Sequence, residues 1–165
     1  MIKPVFNRCC FFLSKLVTSQ IKTINLPFAD LITGGFTHSD QIHLLRVGPN
    51  GKKIIADDLF VKLVKYDKGR PYYRGVISDS KLSSGSPWTD NQKSELINIF
   101  RDDKIREFIE FEVRTNNDFL IKNGAPNGFS TKTKIRVYRE DVYKIISEGD
   151  NIKVPPLKMN TSNFR

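Results

Sequence analysis

An α+β fold, a small mixed or antiparallel sheet carrying two to three short helices, is predicted by three features of the sequence. The stretch from Phe108 to Arg114 alternates, with Ile109, Phe111 and Val113 on one side and Glu110, Glu112 and Arg114 on the other. That period of two marks a strand with one buried face. Strand-like runs are interrupted by single helical stretches rather than alternating regularly with them, which favours α+β over a doubly wound sheet. No GxGxxG loop is present to open a dinucleotide-binding βα unit. With 165 residues and 39% hydrophobic content, the chain can fill one core but not two comfortable ones.

The pattern becomes regular at Ile42. A strand is predicted over 42–47, followed by a turn at Gly48-Pro49-Asn50-Gly51, residues that either fix φ or tolerate the left-handed region. A helix is predicted near 57–66, with Asp57 or Asp58 as its cap and Leu59, Leu63 and Val64 as its apolar stripe. The turn Lys68-Gly69-Arg70-Pro71 leads into a strand from Tyr72 to Ser78. The serine-rich loop SDSKLSSGSPW then precedes a helix that Thr89 caps and that ends near Arg101. A strand over 108–115, the turn-rich NGAPNG, a strand around 133–138 and a short helix over 140–147 stopped by Gly149 complete the order. Pro155-Pro156 is expected to end the regular structure.

The formal charge is +9, from 27 Lys and Arg against 18 Asp and Glu, and its distribution matters more than its sum. Residues 1–29 hold Lys3, Arg8, Lys15 and Lys22 and no acid, while 151–165 hold Lys153, Lys158 and Arg165 and no acid. Between them, residues 30–150 carry 20 basic and 18 acidic side chains. The expected organisation is therefore a basic leader over 1–29 that targets or anchors, one α+β domain over 30–154, and a mobile basic tail over 155–165. An acid-free leader with Ser and Thr suits a secreted or translocated effector, or alternatively a mitochondrial protein. Asn7, Arg8, Ser14 and Lys15 interrupt its apolar run, which argues against a transmembrane helix there. The two cysteines, Cys9 and Cys10, are adjacent, so no disulfide framework exists; acylated, they could hold the chain at a membrane surface. With two histidines and no CxxC, a zinc site lacks support. A monomer is expected.

Taken with its upstream partners, EFIEFEVRTNNDF (Glu107 to Phe119) resembles the central strand and turn of the ADP-ribosyltransferase toxins of the pertussis and cholera A-subunit type. HLLRVG ends a predicted strand with Arg46, where that family supports its NAD cleft with an Arg. VISDS offers Ser78 and Ser80 for the family's Ser-Thr-Ser element. The resemblance implies an ADP-ribosyltransferase-like split sheet, NAD as substrate, and an effector or toxin that modifies a protein target. The family's catalytic Glu precedes its last core strand, and the matching GFSTKTK places Ser130, Thr131 and Lys132 there. A second placement on the same superfamily uses Arg74 of YYRGV for the Arg element, Ser84 and Ser86 for the hydroxyls, and Glu110 and Glu112 as the Glu-x-Glu catalytic pair. Such a carboxylate would offset the positive charge that develops as the nicotinamide bond breaks. On simpler grounds, Arg46 is a surface arginine, the serines are turn residues, and Glu110 and Glu112 are the wet face of a sheet.

A reading from another class is an RNA-binding or assembly subunit of a mitochondrial complex. It rests on the leader, the basic tails and KTKIRVYREDVYK, in which Lys134, Arg136 and Tyr138 would share one strand face, able to hold phosphates and stack a base.

Overall fold

In the computed structural model the described residues are 27–64, 71–81, 86–101, 108–148 and 151–158. In chain order they form α1 (Pro27–Thr33), β1 (Thr37–Arg46), β2 (Lys53–Val64), β3 (Tyr72–Lys81), α2 (Asp90–Arg101), β4 (Phe108–Val113), α3 (Asn117–Lys122), β5 (Lys134–Tyr138), a 3-10 turn (Arg139–Asp141), β6 (Val142–Glu148) and β7 (Asn151–Lys158).

The strands close on themselves. β1 pairs antiparallel with β2 on one edge and with β4 on the other. β2 pairs antiparallel with β3, β4 antiparallel with β5, and β3 runs parallel to β5 through Tyr73↔Ile135 and Arg74↔Arg136. The ring β1-β2-β3-β5-β4 is thus a five-stranded barrel, with α2 in the connection from β3 to β4. This order is the Greek-key arrangement of the OB-fold. Beyond β5, the 3-10 turn carries the chain along the second half of β3, where β6 pairs in parallel from Ile77↔Val142 to Lys81↔Ile146. β7 closes the outer edge as the antiparallel partner of β6.

Alternation explains the closure. Ile42 and Leu44, Leu59 and Val61, Ile77, Ile109, Phe111 and Val113, and Ile135 and Val137 all point inward and are almost fully buried. Gly75 is where β3 passes close over β5: a Cβ there would stand 2.9 Å from Ile135 Cδ1 and 3.4 Å from Leu59 Cδ1. Leu96, Ile99 and Phe100 of α2 join the same core. Thr89 and Gln92 exchange hydrogen bonds at the start of α2, Thr89 Oγ1 receiving the Gln92 N–H at 3.3 Å. The β1–β2 turn requires Gly51, because a Cβ there would meet the Arg46 carbonyl oxygen at 2.0 Å.

Several expectations are corrected. The expected split sheet of the ADP-ribosyltransferase toxins is replaced by a closed barrel, so the resemblance carried by 107–119 does not extend to the fold. Residues 57–66, expected as a helix, belong to β2 as far as Val64. Leu59 and Leu63 share a helical spacing, yet Ile54, Ile55, Val61 and Val64 are β-branched, and pairing on both edges outweighs local propensity. The two aspartates that suggested a cap mark a switch of face: burial falls on Ile54 and Ala56 before them, and on Leu59 and Val61 after them. Residues 140–147, also expected as a helix, hold the end of the 3-10 turn and most of β6. β7 runs through Pro155 and Pro156, which an edge strand tolerates because one side of its backbone needs no ladder partner.

Candidate ligand-binding face

Side chains at the alternate positions of β3, β5 and β4 project from the barrel and form one surface. Across β4 and β5 the register sets Phe108 against Tyr138, Glu110 against Arg136, and Glu112 against Lys134. The Phe108 and Tyr138 rings lie 5.5 Å apart with a tilt of 56°. The Arg136 guanidinium sits between two rings, 4.5 Å from Phe108 and 4.7 Å from Tyr72. Arg74, beside Arg136 in the parallel register, lies 5.1 Å over Tyr138. The Tyr138 hydroxyl donates to Tyr72 Oη at 3.2 Å. Rings and guanidinia thus interleave, each cation attracted by a ring face.

The charges on this surface balance. Arg74 donates to both oxygens of Asp141, at 2.8 and 2.7 Å, and pairs with Glu140 at 3.2 Å. Lys134 and Arg136 share Glu110, at 3.4 and 3.8 Å, and Arg114 holds Glu112 at 2.8 Å. Arg74, Arg114, Lys134 and Arg136 therefore stand against Glu110, Glu112, Glu140 and Asp141. The bidentate hydrogen bond to Asp141 raises the Arg74 pKa above its ordinary value. Burial pushes the Asp141 carboxyl up, and Arg74 pulls it back. Burial and the hydrogen bond with Tyr72 push the Tyr138 phenol up to about 12, while Arg136 and Arg74 pull it down, so it stays a neutral hydroxyl at physiological pH.

A second group of ionisable side chains gathers where β2, β3 and β6 meet α2. Asp79, 2% exposed, accepts from Gln92 Nε2 at 2.9 Å and pairs with Lys81. Asp57 accepts from the Ser80 N–H at 2.9 Å and from Gln41 Nε2 at 3.0 Å. Burial raises Asp79 to about 6; Lys81 opposes the rise and the nearby Asp57 carboxylate adds to it. The Lys144 ammonium, lowered by burial and by Lys81, donates to the Ser86 carbonyl at 2.8 Å. Among the described residues, no group of three or more His, Cys, Asp or Glu is placed to hold a metal ion.

The residues singled out in the sequence are not gathered into one cleft. Arg46 turns to Glu95 on α2, which also accepts the Lys52 N–H at 3.2 Å. Ser78 is buried and donates to Asp58 at 3.0 Å, on the opposite half of β3 from Arg74. Ser80 is exposed, and Ser84 lies outside the described residues. Glu110, Glu112 and Arg74 share the outer surface, but each is engaged in the ion pairs given above. Phe108, Tyr72, Glu140 and Asp141 complete that surface; their roles depend on strand register, which alternation alone does not supply. His43 on β1 is lowered by partial burial and by Lys53. No family model, curated protein or solved structure matches the chain.

The ADP-ribosyltransferase and NAD-toxin identity is therefore withdrawn: the barrel is closed, and the described residues contain no cluster of catalytic glutamates. The expected protein target of modification falls with it. The mitochondrial RNA-binding or assembly reading is not supported either, because Lys134 and Arg136, though on one face with Tyr138 as expected, are committed to Glu110. Membrane attachment through Cys9 and Cys10 is withdrawn as well. They are the chain's only cysteines, both lie outside the described residues, and nothing in the barrel supports tethering through them.

Proposed function

We propose that the chain is a binding module that takes a neutral, hydroxyl-rich chain of the oligosaccharide class across the outer face of β3, β5 and β4. The observation that carries this is the matched charge of an aromatic surface on an OB-type barrel. Barrels of this topology bind linear ligands, oligonucleotides or oligosaccharides, across the face of their second and third strands; β3 borders the surface proposed here and links it to that face. A polyanion gains most of its affinity from counterions released as phosphates meet lysines and arginines. Here those cations are already neutralised by carboxylates on the same face. A sugar chain asks for something else: flat apolar rings to lie against, and fixed donors and acceptors for hydroxyls. Phe108, Tyr72 and Tyr138 supply the first, and the paired Arg74, Arg136, Glu110 and Glu140 supply the second. Ion pairing also holds these long side chains in place before binding, which lowers the ordering cost.

The test is titration of the protein with a panel of neutral oligosaccharides, followed by amide chemical shifts. We expect shifts concentrated on β3, β4 and β5, an affinity indifferent to salt, and a loss of about tenfold for Tyr138→Ala. Silence across the panel, or binding of a thymidine oligonucleotide with an affinity that falls steeply with salt, would overturn the proposal.

A further inference from the structure

The outer surface of β2 and β3 has two halves, and among the described residues only one is open. Toward the β2–β3 connection, Tyr72 and Arg74 belong to the face already described, with Lys62 opposite Arg74 in the register. In the other half, Phe60 and Val76 also point away from the barrel interior, yet both are buried, at 3% and 1% exposure. What covers them is α1. Phe28 stacks on Phe60 with ring centroids 5.0 Å apart and planes 7° from parallel, and meets Tyr143 of β6 edge-on at 5.7 Å. Leu31, Phe36 and Ile145 complete this small cluster, which is separate from the core inside the barrel.

Beneath the cover runs a polar row. Asp58 joins His38 Nε2 at 2.7 Å and the Ser78 hydroxyl at 3.0 Å, and the His38 ring lies 4.8 Å from Phe60. An aromatic floor bordered by a hydrogen-bonded carboxylate has the same chemistry as the open face. α1 itself is held lightly. Among the described residues its backbone bonds outside the helix are local turns, Gly34 to Asp30, Gly35 to Ile32 and Phe36 to Leu31. Its side-chain anchors are Phe28 and, less buried, Leu31, and its far end is tied by the Lys62 ammonium, which donates to the Gly34 carbonyl and lies 5.8 Å from the Phe36 ring. Gly35, at φ +84°, ends α1 in a Schellman cap, its N–H donating to Ile32 and the Phe36 N–H to Leu31, so α1 closes on its own backbone before β1 begins.

The geometry points to α1 as a self-capped strap, joined to β1 through Gly34-Gly35, that occupies the inner half of the ligand face with Phe28 in the position of a ligand ring. It rests on the assignment of the open face to oligosaccharide. With the strap displaced, a sugar ring would lay its apolar side on Phe60 and turn its hydroxyls to Asp58 and His38, extending the site by the width of β2. The strap therefore regulates how much of the site a ligand can fill. It can leave without breaching the barrel, because Phe28 packs outside it, and local openings of this kind have a lower free energy than global unfolding.

Native-state hydrogen exchange of the full chain tests this without any ligand, so it can succeed where sugar binding fails and the reverse. The α1 amides should exchange faster than those of β2 and β3. Phe28→Ala should speed α1 exchange by on the order of a hundredfold while leaving the β2 and β3 ladder unchanged. Lys62→Met, which cuts only the tie, should speed it by about fivefold. Exchange of α1 at the rate of global unfolding, or a Phe28→Ala chain that no longer folds, would overturn the strap and make Phe28 a core residue.

Discussion

Asp79→Asn should remove a pH dependence of stability that the barrel carries between about pH 4 and 6. Asp79 is buried among Gln92, Lys81 and Asp57, with Lys144 on the neighbouring strand, and its carboxyl is raised to about 6 from an ordinary value of 3.8. The folded state therefore holds a proton over a range in which the unfolded chain has released it. Stability from this group is complete below the unfolded pKa and is lost as pH rises through the folded one. At about 1.4 kcal/mol per pH unit, a shift of this size removes about 3 kcal/mol between pH 4 and 7. Asparagine can still accept from Gln92 but does not titrate. Other carboxylates on the protein titrate in both chains, so the relevant quantity is the difference between wild type and Asp79→Asn.

Urea denaturation from pH 4 to 7 measures it. The wild type should lose stability relative to the variant as pH rises, and the two curves should run parallel above the folded pKa. The Asp79–Lys81 charge pair forms only as Asp79 ionises and is already contained in the shifted pKa, so only a pH-independent difference in packing remains between the two curves. Curves parallel over the whole range, or an Asp79 carboxyl resonance that titrates at the ordinary value, would refute the assignment of the proton to this site.

Gly75→Ala should destabilise the barrel by about 1–3 kcal/mol, measured as a lower urea midpoint, because the added methyl enters the packed gap between β3 and Ile135. Asp141→Ala should cost about 1–3 kcal/mol, less than a fully buried pair would, since the Arg74 side chain is 34% exposed and water compensates part of the loss. The same variant should lower the Arg74 pKa and loosen the Tyr138 backbone N–H, which Asp141 accepts at 3.4 Å; amide exchange at Tyr138 reports the second effect.

How much of this was legible in the sequence depended on whether a residue's role is local or set by pairing. The α2 helix is local: Thr89 as cap and a run without Gly or Pro predicted it, and the helix spans Asp90–Arg101. The alternation at 108–113 and 134–138 likewise placed Glu110, Glu112, Lys134, Arg136 and Tyr138 on outward faces. The nature of 57–66 and 140–147 was not local. Leu59 with Leu63, and Val142 with Ile145 and Ile146, satisfy a helical stripe as well as a strand, and only the partners on either side decide between them. The Phe28–Phe60 stack and the Asp58 row could not be read at all. They depend on the switch of face at Asp57-Asp58, which puts Phe60 outward while Leu59 and Val61 stay in the core.

Closure of the sheet decides where chemistry can happen in this chain. A split sheet leaves a cleft between its halves, and a cleft was the setting in which Arg46, Ser78 and Ser80 could have met around a dinucleotide. In the closed ring that interior is solid: Ile42, Leu44, Leu59, Phe111, Ile135 and Val137 each show 0% exposure. The barrel interior therefore has no room for a ligand, and on its outside each strand offers one side chain in two. That spacing is why the ion pairs and aromatic contacts fall in rows across neighbouring strands, Phe108 with Tyr138 and then Glu110 with Arg136. A linear ligand of the proposed kind, crossing the strands, would meet one row at a time, ring and then charge pair, and would reach the buried half of β2 only with α1 displaced.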